Sequence, residues 1–135
     1  VNHNVETVPR LYPRIRPQAD YIQSLELLER VARAGMLAKA GLMVGLGETD
    51  GEVREVIRDL AGTGAAIVTV GQYMRPSRLH PEVERYVHPE VFEEYAAFGQ
   101  GIGVAHMFCA PLVRSSYNAE AVLGELKGKR PAASP

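Results

Sequence analysis

Apolar residues in this chain follow two rhythms that alternate along it. Over 24–34 they recur at helical spacing, with Leu25, Leu28, Val31 and Ala32 on one face and Glu26, Glu29, Arg30 and Arg33 on the other. That pattern predicts an amphipathic helix stopped by Gly35. Residues 38–44 are apolar on both faces apart from Lys39, which predicts a strand covered by helices. The helical rhythm returns over 51–61, where Val53, Val56, Ile57 and Leu60 form a buried stripe, Thr49 or Asp50 caps the start, and Gly62 and Gly64 end the run. Residues 65–71 read as a second apolar, β-branched strand, and 75–81 as a proline-rich loop. Pro89 then opens a helix with Phe92, Tyr95, Ala96 and Phe98 inward, ending at the glycines of 99–103, with a short strand near 104–108 after it. At the other end, 1–4 read as the stub of a strand, and Pro9 and Pro13 exclude a long helix from the loop at 6–12. Strands alternating with helices predict βαβ units and a parallel sheet, hence the α/β class.

Composition narrows the picture. The 135 residues, 46% of them hydrophobic, suffice for the core of one domain. The expected boundaries are 1–126 for the folded part and 127–135 for a disordered tail rich in Gly, Lys, Ala, Ser and Pro. With 15 Lys and Arg against 16 Asp and Glu, there is no general electrostatic case for nucleic acid or an anionic membrane as partner. No apolar stretch approaches the roughly 20 residues of a membrane span, and the N-terminus lacks a signal pattern, so an intracellular, cytoplasmic protein is the expectation. Residue 1 is Val and already strand-like, so the start reads as a cut. The only cysteine, Cys109, excludes an internal disulfide and cannot alone build a cysteine-ligated cluster or zinc site. Among Met107, Phe108 and Ala110 it reads as a packed, inert thiol. His3, His80, His88 and His106 show no metal-ligand spacing.

Candidate chemistry sits where apolar runs end, the place ligands bind in α/β folds. Asn2, Asn4 and Glu6 occupy alternate positions, which puts their side chains on one side of an extended stub. Amides and a carboxylate so placed suit a ribose or an amino acid; a solvated loop with an Asx turn is the plain alternative. Gly41, Gly45 and Gly47 fit neither a dinucleotide fingerprint nor a phosphate loop, since an acidic residue follows and no Lys-Ser or Lys-Thr pair does. They let backbone approach a flat ring, with Glu48 or Asp50 accepting hydrogen bonds from hydroxyls or an amine; a simple tight turn is the alternative. Arg114-Ser115-Ser116-Tyr117 reads either as the cap of a helix over 119–126 or as a cluster of ligand-type side chains.

Taken together, NHNVETVPRLY at 2–12, RPQADY at 16–21, GLMVGLGET at 41–49, GQYMRPS at 71–77, RYVHP at 85–89 and PLVRSSY at 111–117 resemble the C-terminal part of the lipoyl synthase family of radical S-adenosylmethionine enzymes. Ala40, Cys109 and Ala110 stand where that family is expected to have Ser, Ser and Gly. The resemblance implies part of a (β/α)6 partial TIM barrel, with the GxIxGxxE pattern at Gly41, Met43, Gly45 and Glu48 lying against adenine. It implies insertion of two sulfur atoms at C6 and C8 of a protein-bound octanoyl group, initiated by a 5′-deoxyadenosyl radical. Asn2, Asn4 and Glu6 would then bind S-adenosylmethionine, Gln72 and Tyr73 would line its pocket, and Ser116 in preference to Ser115 would ligate an iron of an auxiliary cluster. The implied cofactors are S-adenosylmethionine and two [4Fe–4S] clusters, whose cysteine triplets this sequence does not contain, so these residues are expected to be inactive alone. The implied partners are an octanoylated lipoyl-carrier domain, an electron donor and an iron–sulfur carrier protein, in the cytoplasm or an organelle matrix. A non-catalytic βαβ domain that binds a nucleoside-like ligand is the alternative reading.

Overall fold

The computed structural model describes residues 2–112. A 3-10 turn, Pro9–Leu11, runs into a single-turn helix α1, Tyr12–Ile15; α2 is Tyr21–Arg33, β1 Lys39–Val44, α3 Asp50–Thr63, β2 Ile67–Gln72, α4 Pro89–Gly101 and β3 His106–Ala110. The three strands form one sheet in the order β1-β2-β3, both pairs parallel, with Gly41 beside Thr69 and Thr69 beside Phe108. The stub at the start lies along β1 as well, through parallel bridges Asn2–Lys39 and Glu6–Leu42. Neighbouring parallel strands joined by helices are the repeating unit of a βα barrel, so the α/β class and the barrel-type alternation read from the sequence hold. Residues 113–135, which include the expected tail, lie outside the described residues.

Local chemistry sets the element ends. Helix α2 begins three residues before the expected Ser24, because the Asp20 carboxylate accepts from the backbone N–H of Ile22 and Gln23 and so starts the helix ahead of its apolar rhythm. Thr49 caps α3 in a full capping box: its hydroxyl accepts from Glu52 N–H, and the Glu52 carboxylate accepts from Thr49 N–H. Gly64 ends α3 in the left-handed region at φ 89°. Between Pro9 and Ile15 the prolines stand in the first turns of two short helices, where a missing N–H costs nothing, so part of the expected loop is helical. Strand β3 starts at His106 rather than near Val104, whose N–H is still bonded to the exit of α4 at Gly99.

The two sides of the sheet differ. Ala40, Leu42, Val44, Val68, Val70 and Met107 face the helices and join Val53, Val56, Ile57 and Leu60 of α3 and Phe92 and Tyr95 of α4 in one core. At Gly99 a Cβ would run into the Met107 side chain, so glycine there lets α4 settle onto β3. By strand alternation Lys39, Gly41, Met43, Ile67, Thr69 and Gly71 face the other way. Ile67 is fully buried yet stands apart from the helix-side core.

Candidate functional site

A cleft of about 300 Å³ opens on that second face, walled by Asn4, Glu6, Gly41, Met43, Thr69, Gly71, Gln72 and Met74, with Leu42, Pro111 and Leu112 completing it. This volume lies at the small end of ligand-site sizes. The wall sits at the C-terminal ends of β1 and β2, the end where βα barrels place their chemistry.

Its polar corner is built by an irregularity in the stub. From Asn2 to Glu6 the stub advances four residues while its partner advances three, from Lys39 to Leu42, so one extra residue is accommodated. Val5 N–H and Glu6 N–H both donate to Gly41 O, at 2.9 and 3.3 Å, and Met43 N–H donates to Glu6 O at 2.9 Å. Glu6 takes φ 70°, the only non-glycine positive φ among the described residues. A bulge of this kind re-aims a side chain. Here it brings Glu6 to the same cleft as Asn4. The Asn4 Oδ1 is buried without a hydrogen-bond partner among the described residues. A Cβ on Gly41 would lie 2.5 Å from that oxygen and 2.8 Å from Thr69 Oγ1, so glycine lets the Asn4 and Thr69 side chains sit where they do.

Behind the cleft a turn is braced from several sides. The Glu48 side chain is fully buried, and its carboxylate accepts from Gly45 N–H and Leu46 N–H at 2.9 Å each and from Arg85 Nη2 at 3.3 Å. Arg14 Nη2 donates to Leu46 O at 2.6 Å, and Arg10 donates to Gly47 O and to Glu52. The Arg10 hydrogen bond holds the Glu52 carboxyl down at about 2. Gly45 takes φ 101°, and a side chain on it would collide with the Gln72 amide and Arg85 O. Gln72 in turn donates to Tyr73 O and Arg85 O, each at 3.0 Å, and accepts from Val87 N–H at 2.8 Å.

Of the residues singled out from the sequence, Asn4, Glu6, Gly41, Met43 and Gln72 converge on the cleft. Gly45 and Glu48 lie in the braced turn. Tyr73 is buried with its hydroxyl on Pro81 O at 2.6 Å, and Asn2 is exposed at the edge of β1. Ser115, Ser116 and the rest of their tetrad lie outside the described residues. Thr69 was not expected, although it stands in phase with Gly71 on β2, a signal that strand alternation offers. Nothing in the residue pattern points to Arg10, Arg14 and Arg85 as braces. His3 Nε2 pairs with Ser24 Oγ at 2.9 Å, and among the described residues no three His, Cys, Asp or Glu side chains converge. Burial pushes the Cys109 thiol up to about 12, which keeps it protonated. No described helix is long and apolar enough to cross a membrane.

No protein-family model matches the chain. It is 69% identical to the lipoyl synthase of Oleidesulfovibrio alaskensis over 125 residues, which are 93% of this chain and 43% of that protein. It is 68% identical to the lipoyl synthase of Nitratidesulfovibrio vulgaris over 126 residues, 93% of this chain and 42% of that protein. Identity to the lipoyl synthase of Caldanaerobacter subterraneus is 52% over 130 residues, 95% of this chain and 46% of that protein. The chain thus spans less than half the length of the curated relatives it matches, and over that part its sequence is 52–69% identical to lipoyl synthases.

Proposed function

We propose that these residues form the S-adenosylmethionine side of a lipoyl synthase active site, in a radical enzyme that inserts two sulfur atoms at C6 and C8 of an octanoyl chain carried on a lysine of a partner domain. The observation that carries this reading is the unpartnered, buried Asn4 Oδ1 beside Gly41, whose missing Cβ leaves room at that point of the cleft wall. An unsatisfied buried acceptor costs about 1–3 kcal/mol, which a donor on a ligand removes. S-adenosylmethionine has such donors in its ammonium, adenine amine and ribose hydroxyls, and a flat ring that glycine-lined backbone can approach. The residues present fit it.

In this reading Asn4 and Glu6 accept hydrogen bonds from those donors, Gly41 and Gly71 give close backbone approach, and Met43 offers an adaptable apolar contact. Glu48, Arg10, Arg14 and Arg85 act at one remove, by fixing the turn that follows β1. When bound and reduced, S-adenosylmethionine supplies abstraction of a hydrogen atom from the acyl chain. The described residues do not fit a cysteine-ligated cluster, since Cys109 stands alone and protonated. The role proposed for them is to bind and orient.

Equilibrium dialysis of S-adenosylmethionine against the chain tests the reading. Asn4→Ala and Gly41→Ala are each expected to weaken binding about tenfold. The helix-side control Ile57→Val is expected to leave affinity unchanged. Binding that is absent, or indifferent to Asn4 and Gly41, overturns the proposal.

A further inference from the structure

The connection between β2 and α4 begins with a turn that is tied to itself and displays an apolar tip. Arg75 spends its guanidinium on two carbonyls, Nε to His80 O and Nη2 to Arg78 O, both at 2.9 Å. Ser77 Oγ meets His80 Nδ1 at 2.9 Å and accepts from Leu79 N–H at 3.1 Å, and His80 N–H donates to Ser77 O at 3.1 Å. At the base of the loop, Tyr73 OH donates to Pro81 O. On this frame Leu79 is 95% exposed. A large aliphatic side chain held out on a turn with so many internal hydrogen bonds is pre-organised for contact, because little conformational freedom is left to lose on binding.

Two further observations say what kind of partner fits. Between Tyr73 and Pro81 the loop carries Arg75 and Arg78 and no acidic residue, so its tip complements an acidic surface. The root of the same loop is continuous with the cleft: Met74 is half exposed and also lines it. The base of the loop thus borders the cleft.

We infer that the Arg75–His80 turn, with Leu79 as its apolar anchor and Arg78 as its charged neighbour, is a docking point for an acidic protein domain that presents an acyl-lysine to the cleft. The inference rests on the proposed function and adds to it the surface on which the partner sits. Partner contact here places the lysine arm at the cleft mouth, and the charge pattern makes association salt-dependent.

The test titrates a purified octanoyl-lysine carrier domain into the full chain by calorimetry, with S-adenosylmethionine binding measured on the same samples. Leu79→Glu and Arg78→Glu are each expected to weaken carrier binding about tenfold or more while leaving S-adenosylmethionine affinity and Tm unchanged. Raising the salt is expected to weaken the wild-type complex. Carrier binding that is absent, or unaffected by both variants, while S-adenosylmethionine still binds, overturns the docking inference and leaves the proposed function standing. Loss of a homodimer on Leu79→Glu, seen by sedimentation, overturns it by making the turn a self-contact. If wild-type chain binds neither ligand, the proposed function fails and the docking point with it.

Discussion

The two faces of one small sheet make opposite use of the same three strands. Toward the helices, β1 and β2 present Ala40, Leu42, Val44, Val68 and Val70, all buried in a continuous apolar core. Away from them the same strands present Lys39, Gly41, Met43, Thr69 and Gly71, and the stub adds Asn4 and Glu6. On this side the Asn4 Oδ1 and the Lys39 Nζ are buried without hydrogen-bond partners among the described residues, although Lys39 is only 2% exposed. The helix side gains free energy from apolar burial and from close packing. The cleft side gives some of it up, in unpaired polar atoms and a strained Glu6, as a site built for a ligand would.

The largest expected break in that comparison is on the helix side. Ile57→Ala should cost about 3 kcal/mol in urea denaturation, because Ile57 is fully buried where α3 meets the sheet. The S-adenosylmethionine affinity of the folded fraction should not change. An equal loss of affinity would show that the two faces are not separable.

Lys39→Met tests the cleft side and is expected to act in the opposite direction, raising stability by about 2 kcal/mol, because an apolar chain of similar length replaces an unpaired buried charge. Its pH dependence is also defined. Burial lowers the Lys39 pKa from its ordinary 10.5. Between that lowered value and 10.5 the unfolded chain holds a proton the native chain lacks, so wild-type stability should rise with pH across this window. Lys39→Met should abolish the rise, and denaturant midpoints at a series of alkaline pH values would show it. A destabilised Lys39→Met would mean that the ammonium has a favourable role on this face.

Glu6→Gly sharpens the comparison further, since it removes both a carboxylate and a strained backbone. Relief of the left-handed conformation should stabilise the chain by about 1 kcal/mol, while S-adenosylmethionine affinity falls about tenfold. A change of both in the same direction would separate Glu6 from the cleft. The smallest effect lies at the braced turn. The Glu52 carboxyl is held down at about 2, so the stabilisation from its pairing with Arg10 is complete above the ordinary value of 4.5 and lost as pH falls from there toward 2. In Arg10→Ala that acid dependence should flatten, with only a small loss of stability at neutral pH, as for other exposed pairs.

What the sequence determined by itself is the part written in short-range periodicity. The stripe Val53, Val56, Ile57 and Leu60, the two apolar strands, a cap at Thr49 or Asp50 and a stop at Gly62 or Gly64 all follow from spacing and local chemistry, and they fix the αβ alternation and its parallel sheet. The alternation of Asn2, Asn4 and Glu6 also pointed to a polar corner, although Asn2 does not reach it, and the family resemblance implied Gly41 and Met43 as parts of the same site. Tertiary structure decided which face would carry that corner and how it is closed. The bulge at Glu6 is set by how the stub registers against β1, and no residue type announces it, since Glu is a poor choice for positive φ. The arginine braces on the 45–47 turn come from 32 and 37 residues away, at Arg14 and Arg10, separations over which sequence carries no period to read. The burial of Glu48 follows from the same closure: its carboxylate takes the free N–H groups of its own turn because the loop at Arg85 seals it from water. Periodicity reports which side of an element is apolar, whereas a site is made where elements distant in sequence meet, and only the packed chain settles that.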